Sequence, residues 1–123
     1  TKLTVHSISA VTLAVREMSR SVDFYQGILE LPMLYGGPDA DFTSFRLGEG
    51  YLNLILSVEA NWSWWGRVIF YVDDVDLLYQ RLIKAGVLPT TEPEDAPWQE
   101  RYFHVIDPDG HELSFATPTG QER

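Results

Sequence analysis

The chain has 123 residues, 45% of them apolar and 13% aromatic, enough to bury one core; a single compact domain over 1–123 is expected, with room for two half-length modules. It contains no cysteine, which excludes disulfides and thiolate metal sites. A formal charge of −9 opposes nucleic acid and anionic membrane surfaces, where clustered Lys and Arg are needed, and no apolar run approaches the ~18 residues of a membrane span. Thr1–Ser9 has no signal-peptide core, so a soluble cytoplasmic protein is the expectation.

Val11–Val15 alternates apolar and small residues and predicts a strand. Ser19 is the expected cap of the helix that follows, which carries Val22, Tyr25 and Ile28/Leu29 at helical spacing. Leu31-Pro32 ends that helix, because proline disfavours a helical residue before it. A short strand is placed at Met33–Tyr35, and Gly36-Gly37-Pro38 is a turn. Phe42–Leu47 and Tyr51–Leu56 form a hairpin across Gly48-Glu49-Gly50. Arg67–Val72 is the next strand; Asp74 then caps a helix bearing Val75, Leu78, Leu82 and Ala85, closed by Gly86. Thr90–Pro97 is acidic and proline-rich and reads as a surface loop. Tyr102–Ile106 and Glu112–Ala116 make the last hairpin, and residues 118–123 read as a frayed tail.

A shift of 57 residues lays the chain on itself: Val11, Val15, Met18, Leu31 and Pro32 fall on Val68, Val72, Val75, Leu88 and Pro89. Each half reads βαβββ, module 1 over about 8–58 and module 2 over about 66–117. The fold class is α+β, with a curved mixed sheet around a cavity and the helices outside.

Alternation assigns the faces. One side carries Val11, Leu13, Val15, Leu52, Leu54, Leu56, Val68, Phe70, Val72, Phe103, Val105, Leu113 and Phe115, all apolar, and must meet the helices. The opposite side is mixed and includes Ala10, Asn53, Arg67, Tyr71, Tyr102, His104, Glu112 and Ser114, as a pocket lining would be. A three-residue loop, Pro108 starting a type I turn and Gly110 left-handed, pairs Val105 with Leu113 and Phe103 with Phe115. It sets His104 opposite Ser114 and Tyr102 opposite Ala116. A two-residue loop would drive polar groups into the helix-facing side, so the longer loop is preferred.

Ser21-Val22-Asp23-Phe24-Tyr25 on the first helix, Val72-Asp73-Asp74-Val75 after the fifth strand and Asp107-Pro108-Asp109-Gly110 before the last resemble the vicinal-oxygen-chelate superfamily, which includes glyoxalase I, extradiol dioxygenases, fosfomycin-resistance enzymes and bleomycin-resistance proteins. The resemblance spans about residues 8–117 and implies paired modules around a cavity, commonly in a homodimer. Metal-using members carry ligands at four positions, which match Ala10, Asn53, Arg67 and Ser114 here. Alanine offers no donor, a guanidinium repels a dication, and Asn and Ser oxygens are weak neutral donors. No metal and no other cofactor is therefore expected, and the metal-dependent chemistry of the family is disfavoured.

The remaining candidates each carry two readings. Arg67 contacts a ligand anion or pairs internally with Glu112. His104 is a general acid or base, or a structural histidine bonded to Ser114 or Tyr102. Trp62, Trp64 and Trp65 line a pocket mouth or a dimer interface, while Trp98 is assigned to the pocket, where Pro97-Trp98 and Arg101-Tyr102-Phe103 resemble a segment of bleomycin-resistance proteins. His6 and His111 are expected in solvent. The expectation is a metal-independent binder of an aromatic or cationic small molecule, such as an antibiotic, through Asn53, Arg67, Tyr71, Trp98, Tyr102, His104 and Ser114. The alternatives are a glyoxalase-like lyase or isomerase using His104, or a metal enzyme whose ligands lie elsewhere, for example His104 and Glu112.

Overall fold

A computed structural model of the chain describes residues 7–58 and 61–119. The chain divides between Asn61 and Trp62 into two compact units. Among the described residues, the first unit contains β1 (Ala10–Val15), α1 (Met18–Val22) continued by a π-helical stretch (Asp23–Ile28), β2 (Met33–Tyr35), β3 (Phe42–Leu47) and β4 (Gly50–Leu56). The second contains β5 (Arg67–Tyr71), α2 (Val75–Lys84), β6 (Glu94–Ala96), β7 (Glu100–Ile106) and β8 (Glu112–Pro118). Each unit is thus βαβββ, with strand orders β1-β4-β3-β2 and β5-β8-β7-β6.

The first and last strands of each unit run parallel, and the other pairs are antiparallel. Ala10 faces Tyr51 in one sheet and Arg67 faces Glu112 in the other. The repeat distance is therefore 57 residues at β1 and β5 (67−10) and 61 at β4 and β8 (112−51). Four residues have entered the second unit after its helix. This makes Asn53 the structural counterpart of Ser114.

The apolar faces are where alternation puts them. Leu13, Val15, Phe45, Leu52 and Leu54 are buried with Met18, Val22 and Tyr25; in the second unit Phe70, Phe103, Val105, Leu113 and Phe115 are buried with Val75, Leu78 and Leu82. Phe70 stacks on Phe115 at 5.3 Å, and Tyr79 on α2 meets the Phe103 ring edge-to-face at 5.4 Å. Burying one such large side chain is worth ~1.5–3 kcal/mol, so these faces dominate the cohesion of each unit.

The last hairpin has the three-residue loop. Asp107 N donates to His111 O at 2.9 Å, and Gly110 has φ +95°. The Asp107 side chain holds the turn by accepting from Asp109 N and His111 N, both at 2.9 Å. Val105 pairs with Leu113, Phe103 with Phe115, His104 with Ser114 and Tyr102 with Ala116.

Four sequence expectations require correction. Asp74 caps α2, accepting from Leu77 N at 3.1 Å, but Ser19 does not cap α1. The helix already begins at Met18, with Glu17 at the cap position, and the Ser19 hydroxyl donates to the Glu17 carboxylate at 3.2 Å. The apolar stripe on the first helix also departs from 3.6-residue spacing: the turn widens, Leu29 N donating to Phe24 O at 3.0 Å. That widening buries Phe24 with Tyr25 and leaves Ile28 and Leu29 only half-buried. The expected loop Thr90–Pro97 contains β6, whose Glu94, Asp95 and Ala96 pair with Tyr102, Arg101 and Glu100. Acidic residues have low strand propensity; the pairing is supplied across the strands, where Tyr102 Oη donates to Glu94 at 2.7 Å and Arg101 to Asp95 at 3.1 Å. Pro118 closes β8 and Thr119 N donates to Gln99 O at 3.0 Å, so the expected tail starts later; 120–123 lie outside the described residues.

Candidate functional site

The open face of the second sheet holds a recess of about 170 Å³, lined by Arg67, Ile69, Trp98, Glu100, Tyr102, His104, Ser114 and Ala116. Period-two alternation on β5, β7 and β8 directs these side chains away from the helix. Of the residues expected at the site, Arg67, Trp98, Tyr102, His104 and Ser114 meet here. Tyr71 reaches it through its hydroxyl, which donates to Glu100 at 2.5 Å. Asn53 is in the first unit, where its Nδ2 donates to Thr12 at 3.2 Å.

Glu100 is the residue that the sequence reading missed. It is 8% exposed, and Trp98 Nε1 donates at 2.9 Å to Oε1, the carboxylate oxygen that Tyr71 does not use. Alternation carried two residues upstream from Tyr102 would have found it. The Gln99-Glu100 pair resembles loop sequence, and that hid the strand's beginning.

Trp98 is brought over the face by a strained turn. Gln99 sits at φ +67°, a left-handed conformation costing a non-glycine residue ~1–2 kcal/mol, and its N–H donates to Ala96 O at 3.2 Å. The Trp98 ring lies near-parallel to Tyr102, centroids 5.9 Å apart, and Tyr102 is 5.2 Å from the His104 ring. Three flat rings therefore step along one edge of the recess. Glu94, bonded to the Tyr102 hydroxyl, raises the phenol's pKa above its ordinary value.

Arg67 and His104 are both engaged within the unit. Arg67 pairs with Glu112 at 2.6 Å; the side chains are 38% and 31% exposed. The Trp64 indole first, then Arg67, hold the Glu112 carboxyl below the usual range. His104 Nδ1 and Ser114 Oγ lie 2.6 Å apart, and His104 N donates to Thr91 Oγ1 at 3.0 Å. Burial, and then the nearby Arg67 charge, lower the imidazole pKa, against the opposing pull of Glu112 and Glu94. A neutral ring follows at neutral pH.

A second recess, about 280 Å³, is lined by Trp62, Ser63, Trp64, Trp65, Gly66, Asp109, Gly110, His111 and Glu112. The expectation of a solvated His111 is wrong. The residue is 6% exposed, its Nδ1 accepts from Trp65 Nε1 at 2.8 Å, and its ring lies 5.3 Å from Trp62. The Asp107-centred turn folds it inward. His6 lies outside the described residues.

Comparison with known proteins matches a family described as the Glyoxalase/Bleomycin resistance protein/Dioxygenase superfamily over residues 7–115. The metallothiol transferase FosB of Shouchella clausii is 30% identical, covering 97% of this chain and 85% of its own. A bleomycin resistance protein of Geobacillus stearothermophilus is 47% identical over a local stretch of 45 residues, 36% of this chain and 34% of that one. The crystal structure of TioX from Micromonospora sp. ML1 superposes with a TM-score of 0.76 at 26% identity, covering 92% of this chain and 99% of that one.

The metal implied by the name of the FosB relative finds poor donors at the four matching positions. Arg67 is cationic and tied to Glu112, Ser114 is tied to His104, and Ala10 has no donor atom. The Asn53 Oδ1 is buried without a hydrogen-bond partner, but one neutral oxygen falls short of the three or four ligands a divalent ion requires. Among the described residues, no three His, Asp or Glu side chains gather as ligands, and no helix is long and apolar enough to cross a membrane. Matched duplicated βαβββ units, the Asp107–Gly110 turn and the family pattern over nearly the whole chain lead to one assignment: the chain belongs to the glyoxalase/bleomycin resistance protein/dioxygenase superfamily.

Proposed function

We propose that this chain is a metal-independent cytoplasmic binding protein that sequesters a flat, cationic small molecule, with an antibiotic as the favoured class. One observation carries the reading. At the recess, the groups at family ligand positions neutralise or bond their neighbours, while the Trp98 and Tyr102 rings stand beside a buried carboxylate, Glu100. Stacking on the rings and attraction to the carboxylate suit a conjugated cation, each aromatic or cation–π contact adding ~0.5–2 kcal/mol. The local likeness to a bleomycin resistance protein supports the same class.

A recess of about 170 Å³ is small for an antibiotic, since sites for drug-sized ligands span ~300–1,000 Å³. The proposal therefore includes a homodimer, in which a second copy of the chain enlarges the site. Ile69 and Tyr71, 61% and 56% exposed beside the recess, supply apolar area for that second copy.

The test is thermal stabilisation by bleomycin and other planar cationic antibiotics, with small keto acids as the contrasting panel and each run repeated in chelator. A planar cation should raise Tm equally with and without chelator, and Trp98→Ala should weaken its binding by about tenfold. Stabilisation only by keto acids, or only with added divalent ion, would overturn the reading. A second reading, proton-transfer catalysis, is favoured by the neutral His104 imidazole beside Ser114. His104→Gln separates the two: a binder keeps its affinity, whereas an acid–base enzyme loses ~10²-fold or more in rate.

A further inference from the structure

The larger recess of the second unit lies outside the sheet face and plays no part in the proposed function. Its walls include the three indoles of Trp62, Trp64 and Trp65, with His111, Asp109 and Glu112; among the described residues no Lys or Arg lines it. His111 is already engaged, its Nδ1 accepting the Trp65 N–H at 2.8 Å. Indole has the most favourable ring face for a cation, and two carboxylates add counter-charge. Trp64 and Trp65 are nonetheless 71% and 48% exposed, so much of both residues stands in water.

We propose that this recess binds a small organic cation of the quaternary ammonium type, held by the indole faces with Asp109 and Glu112 supplying the counter-charge. Such an ion suits the walls for three reasons. Its charge is spread over methyl groups and is weakly hydrated, so leaving water costs less than for an ammonium. It has no N–H donors and needs none of the hydrogen bonds already made by Trp64, Trp65 and His111. Its size fits a pocket of about 280 Å³. Glu112 also joins the recess to Arg67, its cross-strand partner on β5, so a cation near Glu112 competes with that ion pair.

The test uses the full chain carrying Trp98→Phe, so that indole emission reports only the three remaining tryptophans. Choline chloride is titrated at ionic strength held constant with sodium chloride, against 3,3-dimethyl-1-butanol, its uncharged isostere. Choline should give a saturable change, with the isostere about tenfold weaker, and Trp64→Ala or Glu112→Gln should each weaken choline binding about fivefold. Trp64 is mostly in solvent, so its replacement leaves the fold intact. Equal responses to both compounds, no saturation, or full choline affinity in Trp64→Ala would overturn the proposal. So would a sedimentation mass that falls in Trp64→Ala while choline has no effect, which would assign the indoles to self-association. Because Trp98 is absent throughout, failure of the sheet-face reading leaves this result untouched.

Discussion

His104 shows how a polar residue can be placed by sequence and understood only through its partners. Alternation puts it on the open face opposite Ser114, and both features hold. Its lowered pKa comes from burial and from Arg67, neither visible in the strand itself. A histidine depressed on folding binds fewer protons than in the unfolded chain between its folded pKa and ~6.5. Stability must therefore rise with pH through that window and fall as pH drops through it. Melting temperature measured between about pH 5 and 7 should decline on the acid side in the wild type and be flatter in His104→Gln. An imidazole NMR titration should place the midpoint below ~6.5, and a midpoint above it would contradict the burial argument.

At the level of elements, the two helices test different signals. Asp74 sits one residue before α2 and bonds the third residue onward, so Asp74→Ala should cost about 1 kcal/mol in a urea melt. Ser19 lies inside α1, and its hydroxyl bonds only the exposed Glu17 carboxylate, so Ser19→Ala should be close to neutral. The order of these two losses checks where each helix begins. Composition misled at β6 because two acidic residues and an alanine form an edge strand through their partners on β7. It misled at α1 because a π-helical turn breaks the spacing on which helix reading depends. Glycine was more informative. A Cβ at Gly36 would come within 2.4 Å of Phe42 O, and φ there is +101°, so the turn before β3 requires it.

For the whole molecule, net charge and donor chemistry have separate consequences. A charge of −9 should steer cations toward the chain, so a stopped-flow association rate for a cationic ligand should fall steeply as salt rises from ~0.01 to ~0.15 M. Under the proposed reading, exhaustive chelation should leave Tm and ligand affinity unchanged, because Arg67 and Ser114 are bonded to Glu112 and His104, Ala10 has no side-chain donor and Asn53 offers one neutral oxygen. A Tm that drops with chelator and returns with one divalent ion would show a metal site built from other residues. The duplication belongs to this scale too. Its offset changes from 57 to 61 along the chain, so a single-shift alignment pairs β1 with β5 correctly but cannot pair β4 with β8.

The sequence alone determined the duplicated βαβββ pattern, the two faces of each sheet and the register of the last hairpin. These depend on local periodicity, and a one-residue slip would bury polar groups among apolar ones. It also named most of the sheet-face recess, since alternation needs no knowledge of neighbours. The tertiary structure decided which polar groups satisfy each other: Arg67 with Glu112, His104 with Ser114, Trp98 and Tyr71 with Glu100, and Trp65 with His111. Those contacts join side chains from different strands, from a strand and a turn, or from two connecting segments, and their distances depend on backbone positions that no local pattern encodes.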